Sequence, residues 1–147
     1  MDRAMAVQVL WRLAGKPGVN RAIPFDDVSG GDWFAEAVRW AAAAGVTKGT
    51  GTHFEPHAPV TREQFATMLY RCLQSTGKGF DGGLWAFTPD YPDAGDVSDW
   101  AQEAMCWMVM NGVMNGMGDG TLNPQGVLTR AQAAALLERV AEALAEA

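Results

Sequence analysis

Cysteine and histidine are scarce in this chain of 147 residues, with two of each. Cys72 and Cys106 are too few for a disulfide framework or a thiolate metal cluster, and both fall in apolar helical patterns, so buried free thiols are expected. His53 and His57 have Pro56 between them, which removes the shared helical face a metal pair would need. Basic residues are in deficit as well. Eleven Lys and Arg against 17 Asp and Glu give a net charge of −6, without the basic stripe of a nucleic-acid footprint. No apolar run reaches the length that crosses a bilayer, and the opening MDRAMAVQVLWRLAG sets Arg3 and Arg12 into an amphipathic pattern rather than a signal-peptide centre. Lone carboxylates such as Glu55 and Glu63 have no partner at defined spacing, so no acid–base pair, metal or cofactor is expected. The hydrophobic share of 48% is enough for a real core in one domain.

Glycine, in contrast, is concentrated. GVMNGMGDGTLNP, residues 112–124, lacks both the alternating oxygen ligands and terminal Glu of a calcium loop and the Lys of a phosphate loop. The same run occurs earlier as GVTKGTGTHFEP, residues 45–56, with Gly45, Gly49, Gly51 and Pro56 answering Gly112, Gly116, Gly118 and Pro124. Around it, Asp32-Trp33 matches Asp99-Trp100, Trp40 matches Trp107, and VTREQFATMLYRCL matches LTRAQAAALLERVA. A third copy of that second half opens the chain, where Arg3 and Arg12 stand nine apart like Arg62 and Arg71 or Arg130 and Arg139. The chain thus reads as two and a half modules: 1–20 (partial), 21–75 and 89–147, with a connector at 76–88.

Each full module predicts helix, glycine loop, helix. The periodicity predicts an all-α domain with helices near 2–14, 33–44, 61–74, 100–111 and 129–145. Asp32 is the expected N-cap of the second, and Gly45 and Gly112 are left-handed stops. Thr61 with Gln64 and Thr129 with Gln132 are capping boxes, and Asp2 caps the first helix. Phe65, Met68, Leu69 and Cys72, and Ala133, Leu136, Leu137 and Val140, are the buried faces. Trp40, Trp107 and the methionines Met105, Met108, Met110, Met114 and Met117 are read as core, while Trp33 and Trp100 start their helices and are open to a ligand. The connector carries Leu84, Trp85 and Phe87, which suit a small apolar anchor or short strand pair.

These motifs resemble the S-layer homology (SLH) domain of bacterial surface proteins. The residues are Phe25, Asp27, Val28, Trp33, Gly45, Gly49, Gly51, Phe54, Pro56 and Thr61 to Gln64, and again Tyr91, Asp93, Trp100, Gly112, Gly116, Gly118, Leu122, Pro124 and Thr129 to Gln132. The resemblance implies a pseudo-threefold helical domain, outside the cell, whose inter-module grooves bind cell-wall polysaccharide, often pyruvylated, without catalysis. The alternative is an SLH-like interaction or assembly module without glycan binding. Arg3 in Asp-Arg-Ala-Met, Gln64 and Gln132 in place of the commoner Glu, and a first module without its opening helix and loop depart from the family pattern.

A cation at a helix start opposes the helix dipole, so Arg3, Arg62 and Arg130 raise two expectations. One is a carboxylate site made from the guanidinium and free backbone N–H groups; the other is pairing with Asp27, Asp93 or Asp99. The implied glycan-binding set is Arg3, Arg62, Arg130, Trp33, Trp100, Asp27, Asp93, Gly49, Gly116, Gln64 and Gln132. Read as exposed residues, Arg62 and Arg130 are expected to be dispensable for the fold. With three arginine helices and two tryptophan helices the grooves are expected to be unequal: Arg3 meets the Trp33 module, Arg62 meets the Trp100 module, and Arg130 faces a gap whose apolar lining invites dimerisation.

Overall fold

The computed structural model describes residues 1–49, 51–79 and 89–145. Trp85 and the strand pair expected beside it lie outside the described residues. Five helices carry the fold, α1 Arg3–Leu13, α2 Ala35–Ala43, α3 Arg62–Gln74, α4 Gln102–Met110 and α5 Arg130–Ala145. Among the described residues the β features are two isolated antiparallel bridges, Asp2 with Pro59 and Thr61 with Val127. The all-α expectation holds.

Local chemistry fixes the helix starts. Asp2 accepts the Met5 N–H at 2.8 Å, and Thr61 and Gln64 form a reciprocal capping box. Thr129 and Gln132 exchange the same two bonds at 3.0 and 3.1 Å. The tryptophan helices begin later than expected. Asp32 is not the N-cap of α2; its carboxylate accepts the Ser29 N–H at 2.8 Å and shapes the turn before the helix, whose N-cap position is Phe34. In the sister module two 3₁₀ turns, Ala94–Asp96 and Asp99–Ala101, precede α4, the second leading directly into it. Trp33 and Trp100 therefore sit on turns rather than on helices, and they are 58% and 53% exposed.

The core is one cluster. Trp40, Trp107, Phe54, Phe65, Leu69, Leu122 and Leu128 are buried in it, as are Cys72 and both central methionines Met105 and Met108. Cys106 is buried too and, like Cys72, is not in a disulfide. Met114 is also buried, whereas Met110 is exposed and Met117 half-buried, so the expectation of core methionines fails at those two positions. Leu137 is half-buried at the edge of α5. Helix packing runs between modules: α1 packs on α2 and α3 on α4.

On the pseudo-threefold axis the three helix lead-ins close a backbone ring. The Val60 N–H donates to Met1 O at 3.1 Å, Leu128 N–H to Val60 O at 2.9 Å, and the Met1 nitrogen to Leu128 O at 3.3 Å. From this ring the helices radiate, and α1 and α3 each place their arginine against the loop of the next module.

Gly49 and Gly116 pack against the rings of Phe25 and Tyr91. Both have positive φ, +62° and +84°, and a Cβ would come within 2.5 Å of His53 O at Gly49 and 2.8 Å of Thr121 O at Gly116. Gly45 and Gly112 share the left-handed backbone but face open space. Alanine at 49 or 116 should therefore cost roughly 2–4 kcal/mol, from strain plus overlap, against roughly 1–2 kcal/mol at 45 or 112. Urea midpoints of the four variants test this; equal losses at all four would contradict the close-packing account.

Candidate functional site at the module boundaries

The Asp of each aromatic-x-Asp motif clips a loop. Asp27 accepts the N–H groups of Phe54 and Glu55, both at 2.8 Å, and Asp93 accepts those of Leu122 and Asn123 at 2.9 and 2.8 Å. Glu55 and Asn123 follow in the left-handed region, φ 60° and 49°, and turn the chain into Pro56 and Pro124. The carbonyls this exposes receive the arginines. Arg3 Nε donates to Phe54 O at 2.9 Å, and Arg62 Nε donates to Leu122 O at 2.8 Å. Arg3 also lies over the Phe54 ring, 4.9 Å from its centroid.

Hydrogen bonds from the Leu122 N–H, and then from that of Asn123, hold the Asp93 carboxyl below its ordinary pKa. Asp27 is lowered too, since its partial desolvation is outweighed by the bonds from Phe54 and Glu55. A depressed folded pKa contributes stability that is full above the unfolded value and is lost as pH falls through the folded one. Denaturation midpoints should thus drop below about pH 4, and Asp93→Asn should flatten that dependence. A wild-type-like acid profile in Asp93→Asn would place the acid sensitivity elsewhere.

At Arg3 and Arg62 the geometry differs from both expectations. Among the described residues, Arg3 and Arg62 form no ion pair with a carboxylate, and their helix N–H groups are already occupied. Arg3 and Ala4 donate to Ala58 O and Pro56 O, and Arg62 and Glu63 to Gly126 O and Pro124 O. The clipped aspartates act on the arginines through space, favouring the charged form that burial disfavours; Arg139 adds to the lowering at Arg62. Arg62 is buried, not exposed, so its expected dispensability is corrected: its guanidinium is part of the interface between modules. Arg130 is exposed as expected, and no carbonyl among the described residues meets the N–H groups of Arg130 and Ala131.

One groove assembles parts from all three modules. It has a volume of about 490 Å³ and is lined by Arg3, by Thr47, Lys48 and Gly49 of the glycine loop, by Gln64 and Arg71 of α3, and by Trp100. Gln64 spends its Oε1 on the Thr61 cap at 3.0 Å, which leaves its amide N–H groups as donors. Burial lowers the pKa of Arg71, and a guanidinium is not deprotonated in proteins. Three cations face one acid, Glu55. In a chain of net charge −6 this is a local reversal of sign.

Among the described residues the equivalent positions elsewhere show fewer of these parts. Arg130, α1 residues Gln8 and Arg12, and Trp33 line a more apolar groove of about 330 Å³ that has no glycine loop. Buried there, Gln8 Oε1 has no hydrogen-bond partner among the described residues. Arg62 meets the Leu122 loop, and Arg139 donates to Val113 O at 3.3 Å. Arg3 touches the loop of the Trp33 module and Arg62 that of the Trp100 module, as expected, while the tryptophan across the Arg3 groove is Trp100 and Trp33 stands across from Arg130. Asp27, Asp93, Gly116 and Gln132 do not line either groove; they shape caps and loops. Arg71, Arg12 and Lys48 are the lining cations the sequence reading left out, although the nine-residue arginine spacing marked two of them. His53 and His57 sit apart from both, with the His57 ring edge-on to Phe34.

The S-layer homology domain family matches residues 24–66 and 90–134. The chain is 31% identical over 137 residues to an amylopullulanase of Thermoanaerobacterium thermosulfurigenes, covering 93% of this chain and 7% of that protein. It is 31% identical to the cellulosome-anchoring protein of Acetivibrio thermocellus, covering 97% of this chain and 32% of the relative. With the S-layer protein sap of Bacillus anthracis it shares 28% identity over 95% of its length, which is 16% of that protein. The chain spans less than a third of each of these relatives.

Proposed function

Since this chain belongs to the S-layer homology family, we propose that it is a non-catalytic anchoring module that holds a protein to the bacterial cell surface by binding an anionic cell-wall polysaccharide. The observation that carries the reading is the Arg3–Lys48–Arg71 groove with the half-exposed face of Trp100 across it. Guanidinium and ammonium groups suit a carboxylate such as a pyruvate ketal, and an exposed indole suits the apolar face of a sugar ring. Among the described residues one groove holds the full set, so one strong site per chain follows. No helix among the described residues is long and apolar enough to cross a membrane, and attachment here rests on the wall polymer.

The test is retention on purified wall sacculi before and after acid removal of the secondary polymers. Loss of retention on stripped sacculi supports glycan anchoring. Equal retention on both would favour an assembly module without glycan binding.

A further inference from the structure

We propose that Glu63 is a positioning residue for polysaccharide binding, which through Ser98 holds Trp100 over the Arg3 groove; this rests on the glycan reading above. Glu63 is 3% exposed in the first turn of α3. Its carboxylate accepts the Ser98 N–H at 2.9 Å, the Ser98 hydroxyl at 2.7 Å and the Gln125 amide at 3.1 Å. Gln125 also donates to Asp96 O at 2.7 Å, so one buried acid gathers the segment from Asp96 to Ser98 against the start of α3. Among the described residues no cation pairs with it.

Trp100 needs such a hold. It is 53% exposed, and its 3₁₀ turn has no side-chain cap of its own. Ser98 lies two residues before the indole and its carbonyl accepts the Ala101 N–H at 2.9 Å, so a hold on Ser98 orients the turn. Among the described residues the sister tryptophan has no equivalent clamp: α1 carries Ala4 where α3 carries Glu63, Gly31 stands where Ser98 does, and the bonds that hold the Trp33 turn are local ones, between Ser29 and Asp32 and from the Ala35 N–H to Asp32 O. The clamped indole is the one on the complete groove.

Two readouts separate positioning from mere structural support. First, secondary wall polysaccharide released from sacculi is titrated into the wild type, Glu63→Ala, Trp100→Ala and the double variant. Each single change should weaken binding about tenfold, the scale of one well-made contact, and the double should be no weaker than Trp100→Ala. Losses that multiply would overturn the proposal. Second, acrylamide quenching of each protein minus that of its Trp100→Phe counterpart isolates the Trp100 signal, and Glu63→Ala should change it while Glu63→Gln, which keeps one acceptor, recovers part of the difference. Unchanged Trp100 quenching would overturn the clamp whether or not polysaccharide binds. Failure of the wild type to bind would instead sink the glycan reading alone. If Glu63→Ala does not fold, Ser98→Ala removes only the hydroxyl bond and should show the same two changes at smaller size; no change in either would count against the proposal.

Discussion

Arg71→Glu is expected to abolish retention on wall sacculi while leaving the helical content and melting temperature near wild type. Arg71 lines the complete groove from α3, and among the described residues nothing bonds its guanidinium. Its charge is therefore available to a ligand and is not needed by a neighbour. Reversal places a second carboxylate beside Glu55 and removes one of three cations, so a loss on the order of a hundredfold or more is expected for an anionic polymer. The fold should lose little, since Arg and Glu have similar helix propensity and an acid in the last turn of α3 opposes the dipole by only about 0.3–1 kcal/mol. Arg12→Glu, the corresponding change on α1 in the groove without a glycine loop, should leave most retention intact. Wild-type retention by Arg71→Glu would remove the groove from consideration as the anchor site.

Arg62→Ala should produce the opposite pattern, a large loss of stability. Arg62 is 5% exposed, and its guanidinium donates to Leu122 O at 2.8 Å and stands near the clipped Asp93. Truncation leaves a buried carbonyl without its donor and opens space between α3 and the last glycine loop. A cost of roughly 3–5 kcal/mol follows, which for a domain of this size is a melting shift of about 10 °C. Arg62→Lys should recover little, because a point-charge ammonium does not reproduce the planar Nε–H donor. Arg130→Ala, at the same helix position but exposed, should stay within about 0.5 kcal/mol. Thermal melting of the three variants decides it; an Arg62→Ala melt within two or three degrees of wild type would mean the interface does not depend on the bond.

What the sequence made legible was local and periodic. Capping boxes are a side chain bonding a backbone three residues away, so Thr61 with Gln64 and Thr129 with Gln132 could be read directly, as could the left-handed stops at Gly45 and Gly112. The helix starts at Trp33 and Trp100 were misread because a turn shaped by Asp32 or by a 3₁₀ segment has the same residue spacing as a first helical turn. The burial of Arg62 was invisible for another reason: its partner is the Leu122 carbonyl, 60 residues away, and a backbone acceptor leaves no mark in sequence. Likewise the cyclic order of loops could be inferred, but the tryptophan assignment depends on which module closes over each groove.

The backbone ring of Met1, Val60 and Leu128 gives this repeat-built chain an unusual thermodynamic character. In a linear array each repeat meets only its neighbours, and the ends can fray independently. Here each of the three lead-ins both donates to one and accepts from another, and the last link spans 127 positions of sequence. There is no end from which to unzip. Native contacts of such long range slow folding, because the loop must close before the contact rewards it, and they tie the fate of α1 to that of α5. The ring thus makes melting a collective event, in which the groove holding the polymer is lost together with the whole domain rather than ahead of it.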